Sequence, residues 1–550
     1  MPKLRMFYTK SILFVVILMV FVFAGCNNNQ NANMNPASGL SPSEGGVLNL
    51  ASYPPDTLNP LTTGYLCMKD YLYLAYESLF IVNEDLSVTG VLAADYKSDK
   101  NNTVYTVSLK KGVRFHDGSA FTSDDVVSTF EYLQTYDTNY SHCMENVKSY
   151  KASGNYEVQI TLNSPVSDFV ANLDFPILPS GLKSDSFSAS SSSFVINGTG
   201  RYKYKKTNPY ESIILEKNPS WHSDAKVYIP KVCIRFVEGR DAIAYAFDAG
   251  ETDMVTTDYG RWGEFPYSIK HNAYEVTTTD YIFIGLNTQN SAFSDVELRK
   301  KLSNLVDRNY IVDSVLFSHA EKAFTPISSK AYFYRNDSND EVKPETEKLT
   351  DEKLSTYILY NEESPVKESV ANYLKTLLEE AGVKAELTKV PYDTYINKVQ
   401  SGDYQIYIGQ VSMKNDSNLR FMFSESPIIV NEPVSTVTNT GEGTEGTAEA
   451  PAEEAPVYSY TSSIRICNYT NPTLDDIIEN INTAKNIDTA KVACNNLIVF
   501  YNENIPQIPL AHINDAVFVS KRIEGKVNVN LTSFFADIGN IYIPDKDSKK

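Results

Sequence analysis

Between Tyr105 and Phe130 the hydrophobic pattern changes period once, and the change predicts a strand, a turn and a helix. Tyr105, Val107 and Leu109 alternate with Thr106, Ser108 and Lys110, the period of a half-buried strand. His116-Asp117-Gly118 then reads as a turn, with Gly118 free to take a positive φ. Thr122 and Asp125 form a capping pair ahead of Val126, Phe130 and Leu133, which share one helix face. A second stretch repeats the theme. Ser355 to Leu359 reads as a strand, and Val366, Val370, Tyr373, Leu374 and Leu377 mark a helix face ended by Gly382. Val383 to Leu387 is the next strand. Such alternation predicts parallel pairing. Val47 to Leu50 opens the folded part as a strand. Val296 to Val312 is amphipathic, with Val296, Leu302, Leu305 and Val306 predicted inward and Arg299, Lys300 and Arg308 predicted in water.

The N-terminus has a different pattern. Lys3, Arg5 and Lys10 precede an apolar run of 13 residues, Ile12 to Ala24. A spanning helix needs about 20, so the run predicts an export signal over residues 1–25 rather than a lasting membrane segment. Phe23-Ala24-Gly25-Cys26 resembles a lipobox, with phenylalanine where leucine is usual. That resemblance implies that Cys26 is lipidated and becomes the mature N-terminus, with a diacylglyceryl anchor in the membrane. Residues 26–46 are polar and without apolar period, the composition of a flexible tether.

At 550 residues the chain predicts two or three lobes. A net charge of −19 opposes nucleic-acid binding, which needs a basic face. The six cysteines (Cys26, Cys67, Cys143, Cys233, Cys467 and Cys494) are widely spaced without a C-x-x-C, and the six histidines are scattered without an H-E-x-x-H. No metal or cofactor site is expected. His142-Cys143 are adjacent ligand types without further partners. His116-Asp117 are read as structural, because neighbouring side chains rarely converge on one target and no G-x-S-x-G nucleophile motif accompanies them. Asn431 to Pro456 carries six glutamates and no basic residue, and is read as a solvated, disordered insertion.

The segment from Leu109 to Phe130, LKKGVRFHDGSAFTSDDVVSTF, closely resembles a signature block of the family 5 bacterial extracellular solute-binding proteins, the receptors of peptide, nickel and related ABC importers. Asp56-Thr57-Leu58-Asn59-Pro60, Glu77-Ser78-Leu79-Phe80 and Gly90-Val91-Leu92-Ala93 resemble further family elements. So do Asn197 to Tyr202 (with Arg201 where the family has proline), Asn218 to Trp221, Ala246 to Asp253, Phe283 to Asn287, Val296 to Val312, Tyr392 to Gln410 and Ile505 to Leu510.

The resemblance implies a two-lobed α/β clamshell of the periplasmic-binding-protein type (class II, cluster C) with an accessory domain. Carried onto this chain, residues 47–75, 197–310 and 513–545 would form lobe I, residues 76–196 the accessory domain and residues 311–512 lobe II. It implies a non-enzymatic, monomeric, extracytoplasmic receptor, anchored to the cell membrane, that captures peptides or similar small solutes and presents them to an ABC permease. Gly64, Tyr65 and Leu66 would line the cleft as an edge strand, with Tyr140 from the accessory domain. Tyr392 and the run Gly409, Gln410, Val411, Ser412, Met413 and Lys414 would form the opposite wall. Peptide receptors of the family carry an aspartate for the ligand amine. Its place here falls at Met413 or Lys414, and the nearest carboxylate is Asp416. Two other readings stand beside this one: a same-fold receptor for a metal chelate, and a secreted hydrolase on the same scaffold.

Overall fold

The computed structural model describes residues 42–181, 194–208, 210–239, 241–257, 269–289, 291–337, 349, 354–423, 433–434, 457–458 and 469–544. The predicted export signal, Cys26, the predicted tether up to residue 41, Cys467 and nearly all of the predicted acidic insertion lie outside them.

The chain opens with β1 (Val47–Ser52) and the short helix α1 (Leu66–Leu72). β2 (Phe80–Val82) and β3 (Val88–Gly90) form a hairpin, followed by β4 (Ala93–Ser98), β5 (Val104–Leu109), α2 (Ser123–Thr135), β6 (Val147–Ala152) and β7 (Glu157–Leu162). β8 (Tyr202–Asn208), β9 (Ser212–Lys217) and β10 (Lys231–Phe236) return to β1 as a four-stranded sheet in the order β1-β10-β9-β8. After α3 (Ala242–Asp248) and β11 (Met254–Thr257) comes β12 (His271–Leu286), then α4 (Val296–Leu305) and β13 (Ala320–Lys322). The last part contains β14 (Ser355–Asn361), α5 (Pro365–Glu380), β15 (Lys384–Val390), α6 (Tyr392–Ser401) and β16 (Ile406–Ser412). The two-residue strand β17 (Pro433–Val434), inside the predicted insertion, pairs with β18 (Val457–Tyr458), just after it. α7 (Pro472–Asn482), α8 (Ile487–Asn504) and β19 (Gln507–Ser520) follow.

The local predictions hold where local chemistry decides. β5 buries every second residue, with Tyr105, Val107 and Leu109 inward. Thr122 N–H donates to Asp125 Oδ2 at 2.7 Å in a capping box, and Val126, Phe130 and Leu133 are buried. β14 pairs in parallel with both β15 and β16. β4, β5, β7 and β6 form an accessory antiparallel sheet against which α2 packs.

Segments far apart in the chain meet at Glu77. Its buried carboxylate accepts from Trp221 Nε1 at 2.9 Å, and from Thr199 Oγ1 and His222 Nε2 at 2.8 Å each. Nearby, His116 accepts the Gly198 N–H on Nδ1 at 3.3 Å and donates from Nε2 to Gly200 O at 3.1 Å, while Asp117 accepts from Asn197. Burial lowers the His116 pKa, and the pair holds the segment leading into β8 in place.

The largest sheet, β11-β19-β12-β16-β14-β15 with β13 beside β19, spans two regions through two long strands. The first half of β12, up to Thr277, pairs only with β19, next to β11. From Asp280 onward its other edge is taken by β16. The β12–β19 register breaks between Thr277 and Tyr281. Beyond the break, one apolar core covers each face of the sheet, one with Tyr281, Phe283 and Tyr407, the other with Ile282, Ile284 and Ile406. The first of these cores also takes in Val82, Leu86 and Ala171 from the accessory side.

One prediction about α4 fails. Arg299, expected in water, is 4% exposed and donates to the carbonyls of Phe293, Ser294, Asn504 and Ile505. The C-terminus of α8 reaches it with unpaired carbonyls, and a guanidinium fork satisfies several at once.

Candidate functional site

Four segments converge between α1, the accessory sheet and the end of β16. The first is set by its own turn chemistry. Asn59 Oδ1 accepts the Leu61 N–H at 3.0 Å, and Asp56 accepts the Gly64 N–H at 2.7 Å and the Thr63 hydroxyl at 2.8 Å. The chain then enters α1 at once. Gly64, Tyr65 and Leu66 are therefore not the predicted edge strand, since Tyr65 is the extended N-cap residue and Leu66 the first residue of α1. Leu66 is 41% exposed, and the Tyr65 ring stands 5.5 Å from Tyr53.

The second segment is the turn through Tyr140 to Glu145, tied to the first by Asn139, which donates to Leu61 O and Thr63 O. Tyr140 is buried, its hydroxyl 3.1 Å from that of Tyr73 and its ring 5.0 Å below Lys69 Nζ. Tyr73 in turn donates to Asp174 O at 2.7 Å, in the third segment, Asp168 to Asp174.

The fourth is the loop after β16. Three successive side chains reach across from it. Lys414 Nζ donates to Glu145 at 2.8 Å, Asn415 Nδ2 to Asp174 at 3.3 Å, and Asp416 Oδ2 accepts from Asn172 Nδ2 at 2.7 Å. Met413 N–H donates to Thr279 O at 2.9 Å, and Ser417, at φ +55°, turns the loop so that Asp416 Oδ1 accepts the Asn418 N–H.

The electrostatics of this junction follow from burial. Burial drives the His142 pKa down to about 3, helped by Lys414 and Lys69, so the imidazole is neutral. It also drives the Cys143 thiol well up and Asp174 up to about 6, with Lys69 pulling Asp174 the other way. For Lys414, burial opposes the charge, but Glu145 and Asp416 outweigh it and hold its pKa above the ordinary lysine value.

Tyr140, Met413, Lys414 and Asp416 thus meet in one place. The remaining predicted positions sit differently. Gly409, Gln410, Val411 and Ser412 are paired along β16 with β12. A Cβ on Gly409 would stand 2.3 Å from the Phe283 ring, so that glycine serves close packing. Val411 is buried, and the Ser412 hydroxyl contacts Asp280. Tyr392 opens α6, its N–H donating to Glu363 at 3.0 Å and its ring 6.4 Å from Tyr395. Asp174, Glu145 and Lys69 were not singled out in the sequence. Among the described residues, no group of three or more histidine, cysteine or acidic side chains is placed to hold a metal, and no helix is long and apolar enough to cross a membrane.

Comparison with known proteins places this arrangement. Oligopeptide-binding protein AppA of Bacillus subtilis is 28% identical over 342 residues, 59% of this chain and 62% of the relative, so the chain spans under two thirds of that relative's length. The solved AppA structure, in complex with a nonapeptide, superposes with a TM-score of 0.59 at 20% identity, covering 92% of this chain and all of the other. HbpA2 of Haemophilus parasuis superposes with a TM-score of 0.73 at 18% identity, covering 90% and 99%. The fold is therefore the two-lobed α/β fold of periplasmic binding proteins. Residues 87–425, more than half the chain, match the family described as bacterial extracellular solute-binding proteins, family 5 (middle region), whose members bind solutes rather than catalyse reactions. The chain belongs to family 5 of the bacterial extracellular solute-binding proteins.

Proposed function

We propose that this protein is the lipid-anchored receptor of an ABC importer and captures peptides, or small solutes with a peptide's paired charges, for delivery to the permease. In this reading residues 47–75, 197–310 and 513–545 form lobe I, residues 76–196 the accessory domain and residues 311–512 lobe II. The lobes close about the β12–β19 crossing. The observation that carries the reading is the Lys414–Glu145 pair. It joins the loop after β16 to the accessory turn, with 22% and 38% of the two side chains exposed. A zwitterionic ligand entering there meets both halves of its own charge pattern, a cation for its carboxylate and an anion for its amine. The place of the family's amine-binding aspartate falls at Met413 or Lys414, neither of them acidic, and Asp416 is buried on Asn172. Glu145 is therefore the amine partner in this scheme. The anchor rests on Cys26 and the short apolar run before it.

Native mass spectrometry of the purified protein tests the reading. A bound mass that fragments as a peptide supports it. A metal-chelate mass would transfer the assignment to the alternative ligand class. Failure to retain any solute, together with no thermal shift across a peptide library, would overturn it.

A further inference from the structure

A cavity of about 670 Å³, a size that suits a small solute, opens at the end of the accessory sheet away from the candidate site. β6 separates the two places. Glu145 precedes that strand and Ser153, on the cavity wall, follows it, and its six residues span about 17 Å. The wall is built from β5, β7 and the residue after Trp221. Ser108 and Glu157 are register partners on β5 and β7, so their side chains share one face. Lys110 and Lys111 continue the chain from β5 along the same cavity. Lys110 Nζ lies 3.4 Å from Gly90 O, and Lys111 Nζ stands 5.8 Å from the Tyr156 ring centroid. Among the described residues neither ammonium pairs with an acid, although the chain carries a net charge of −19. His222 completes the wall with its side chain 11% exposed. Its Nε2 donates to one oxygen of Glu77 at 2.8 Å, while Trp221 Nε1 donates to the other at 2.9 Å. Among the described residues, neither His222 Nδ1 nor the Glu157 carboxylate has a hydrogen-bond partner.

We propose that this cavity is a second solute site, for a small polyhydroxylated molecule with a single anionic group, a sugar acid or a sugar phosphate. The two ammonium groups take the anionic group. Nε2 of His222 is committed as a donor to Glu77, so Nδ1 is left to accept, and a ligand hydroxyl is the donor that fits it. The Glu157 carboxylate also accepts hydroxyls, and it repels a second negative charge in the same space. Ser108 and Ser153 supply hydroxyls that both donate and accept. A plain dicarboxylate would satisfy the lysines but set a carboxylate against Glu157. A neutral sugar would make no use of the ammonium groups. One anionic group with several hydroxyls matches both halves of the lining. The imidazole is fixed before a ligand arrives, because Glu77 holds it together with Trp221 and Thr199. The site shares no residue with the 413–416 loop or its partners, so it does not depend on what that loop binds.

Ligand-observed NMR titrations of the full chain test it, with gluconate and glucuronate as probes and glucose, succinate and inorganic phosphate as controls. Both probes should bind with dissociation constants on the order of 1 mM or tighter, and about tenfold tighter than any control. The double variant Lys110→Gln with Lys111→Gln should keep the wild-type melting temperature and weaken both probes by about tenfold or more. Equal affinity for succinate or inorganic phosphate would overturn the site, because the lysines would then be reading charge alone. Probe binding that survives the double variant would overturn it as well. Vesicles of phosphatidylglycerol display a glycerol phosphate headgroup. Their capture without binding of either free probe would overturn a free solute as the occupant in favour of a membrane surface.

Discussion

Replacing Arg299 with methionine should destabilise the packing of α4 against the end of α8 more than its place on an amphipathic helix suggests. Arg299 is 4% exposed, and its guanidinium donates to four carbonyls, two at the end of α8 and two just before α4. A charge-assisted bond contributes about 1.5–3 kcal/mol, and a buried acceptor left unmade costs about 1–3 kcal/mol. The four bonds share one side chain and do not add, and methionine recovers part of the stem's packing. The expected loss is therefore about 3–5 kcal/mol, the range of a broken buried polar network. Lysine should recover only a small part, because a single ammonium cannot fork to acceptors on two segments. For a lobe of about 200 residues, each kcal/mol lowers the melting temperature by about 2–4 °C. Calorimetry should show the transition carrying α4 and α8 falling by about 6–20 °C, while the β1–β10 region holds. A loss under about 1 kcal/mol in Arg299→Met would mean that water replaces the guanidinium without cost, and the end of α8 would not need its cap.

Four further outcomes follow from the site and the anchor. Lys414→Met and Glu145→Gln should each weaken binding of a free peptide about ten- to hundredfold by calorimetric titration, yet change unfolding by less than about 1 kcal/mol, because a partly exposed pair adds little to stability. A peptide with its amine acetylated should lose affinity for the wild type and be insensitive to Glu145→Gln. Gly409→Ala places a Cβ 2.3 Å from the Phe283 ring and should cost about 1–3 kcal/mol in denaturant unfolding, whereas an unchanged midpoint would contradict the close approach. Cys26→Ala should abolish incorporation of labelled lipid and leave the protein unprocessed or released; continued labelling would rule out the lipobox.

What could be read from the sequence was what neighbouring residues decide together. Thr122 and Asp125 cap α2 because they are three residues apart, and β5 alternates because its period is its own. Arg299 and Lys367 could not be read that way. Lys367 looks like a solvated helix residue, yet it is fully buried, donating to Asn361 Oδ1 at 2.9 Å with its ammonium 4.7 Å from the Tyr395 ring centroid. Each burial depends on what packs against the helix, and α8 ends 205 residues after Arg299. The Gly64-Tyr65-Leu66 segment turned into a helix because the Asp56 carboxylate holds the Gly64 N–H and closes the turn before a strand can start. At the site, family resemblance located the 413–416 loop but not its partners. Glu145 lies 269 residues before Lys414, and Asp174 stands 241 before Asn415. Nothing in the letters distinguishes those acids from the rest of a chain with 68 of them.

In the proposed receptor, the position of the loop relative to the crossing strands would link ligand capture to movement. β12 changes its pairing between Thr277 and Tyr281, and within that break Thr279 O accepts the Met413 N–H at 2.9 Å. The residues that reach the accessory segment, Lys414 to Asp416, begin one position later. A rotation taken up at the break therefore carries the loop with β16 and moves all three side chains away from Glu145, Asp174 and Asn172 together. Opening then exposes a cation, an amide and a carboxylate on one side, and two carboxylates and an amide on the other. Closing without a ligand restores the internal pairs. Closing on a zwitterion replaces the one Lys414–Glu145 contact with two contacts to the ligand. Ligand affinity is thus set against the self-paired closed form rather than against open water. For that reason Lys414→Met should cost less affinity than a count of ligand contacts suggests, and the double variant with Glu145→Gln more than the sum of the two singles, because the self-pair is lost only once. Strict additivity of the two losses would show that the pair is already broken in the ligand-free protein.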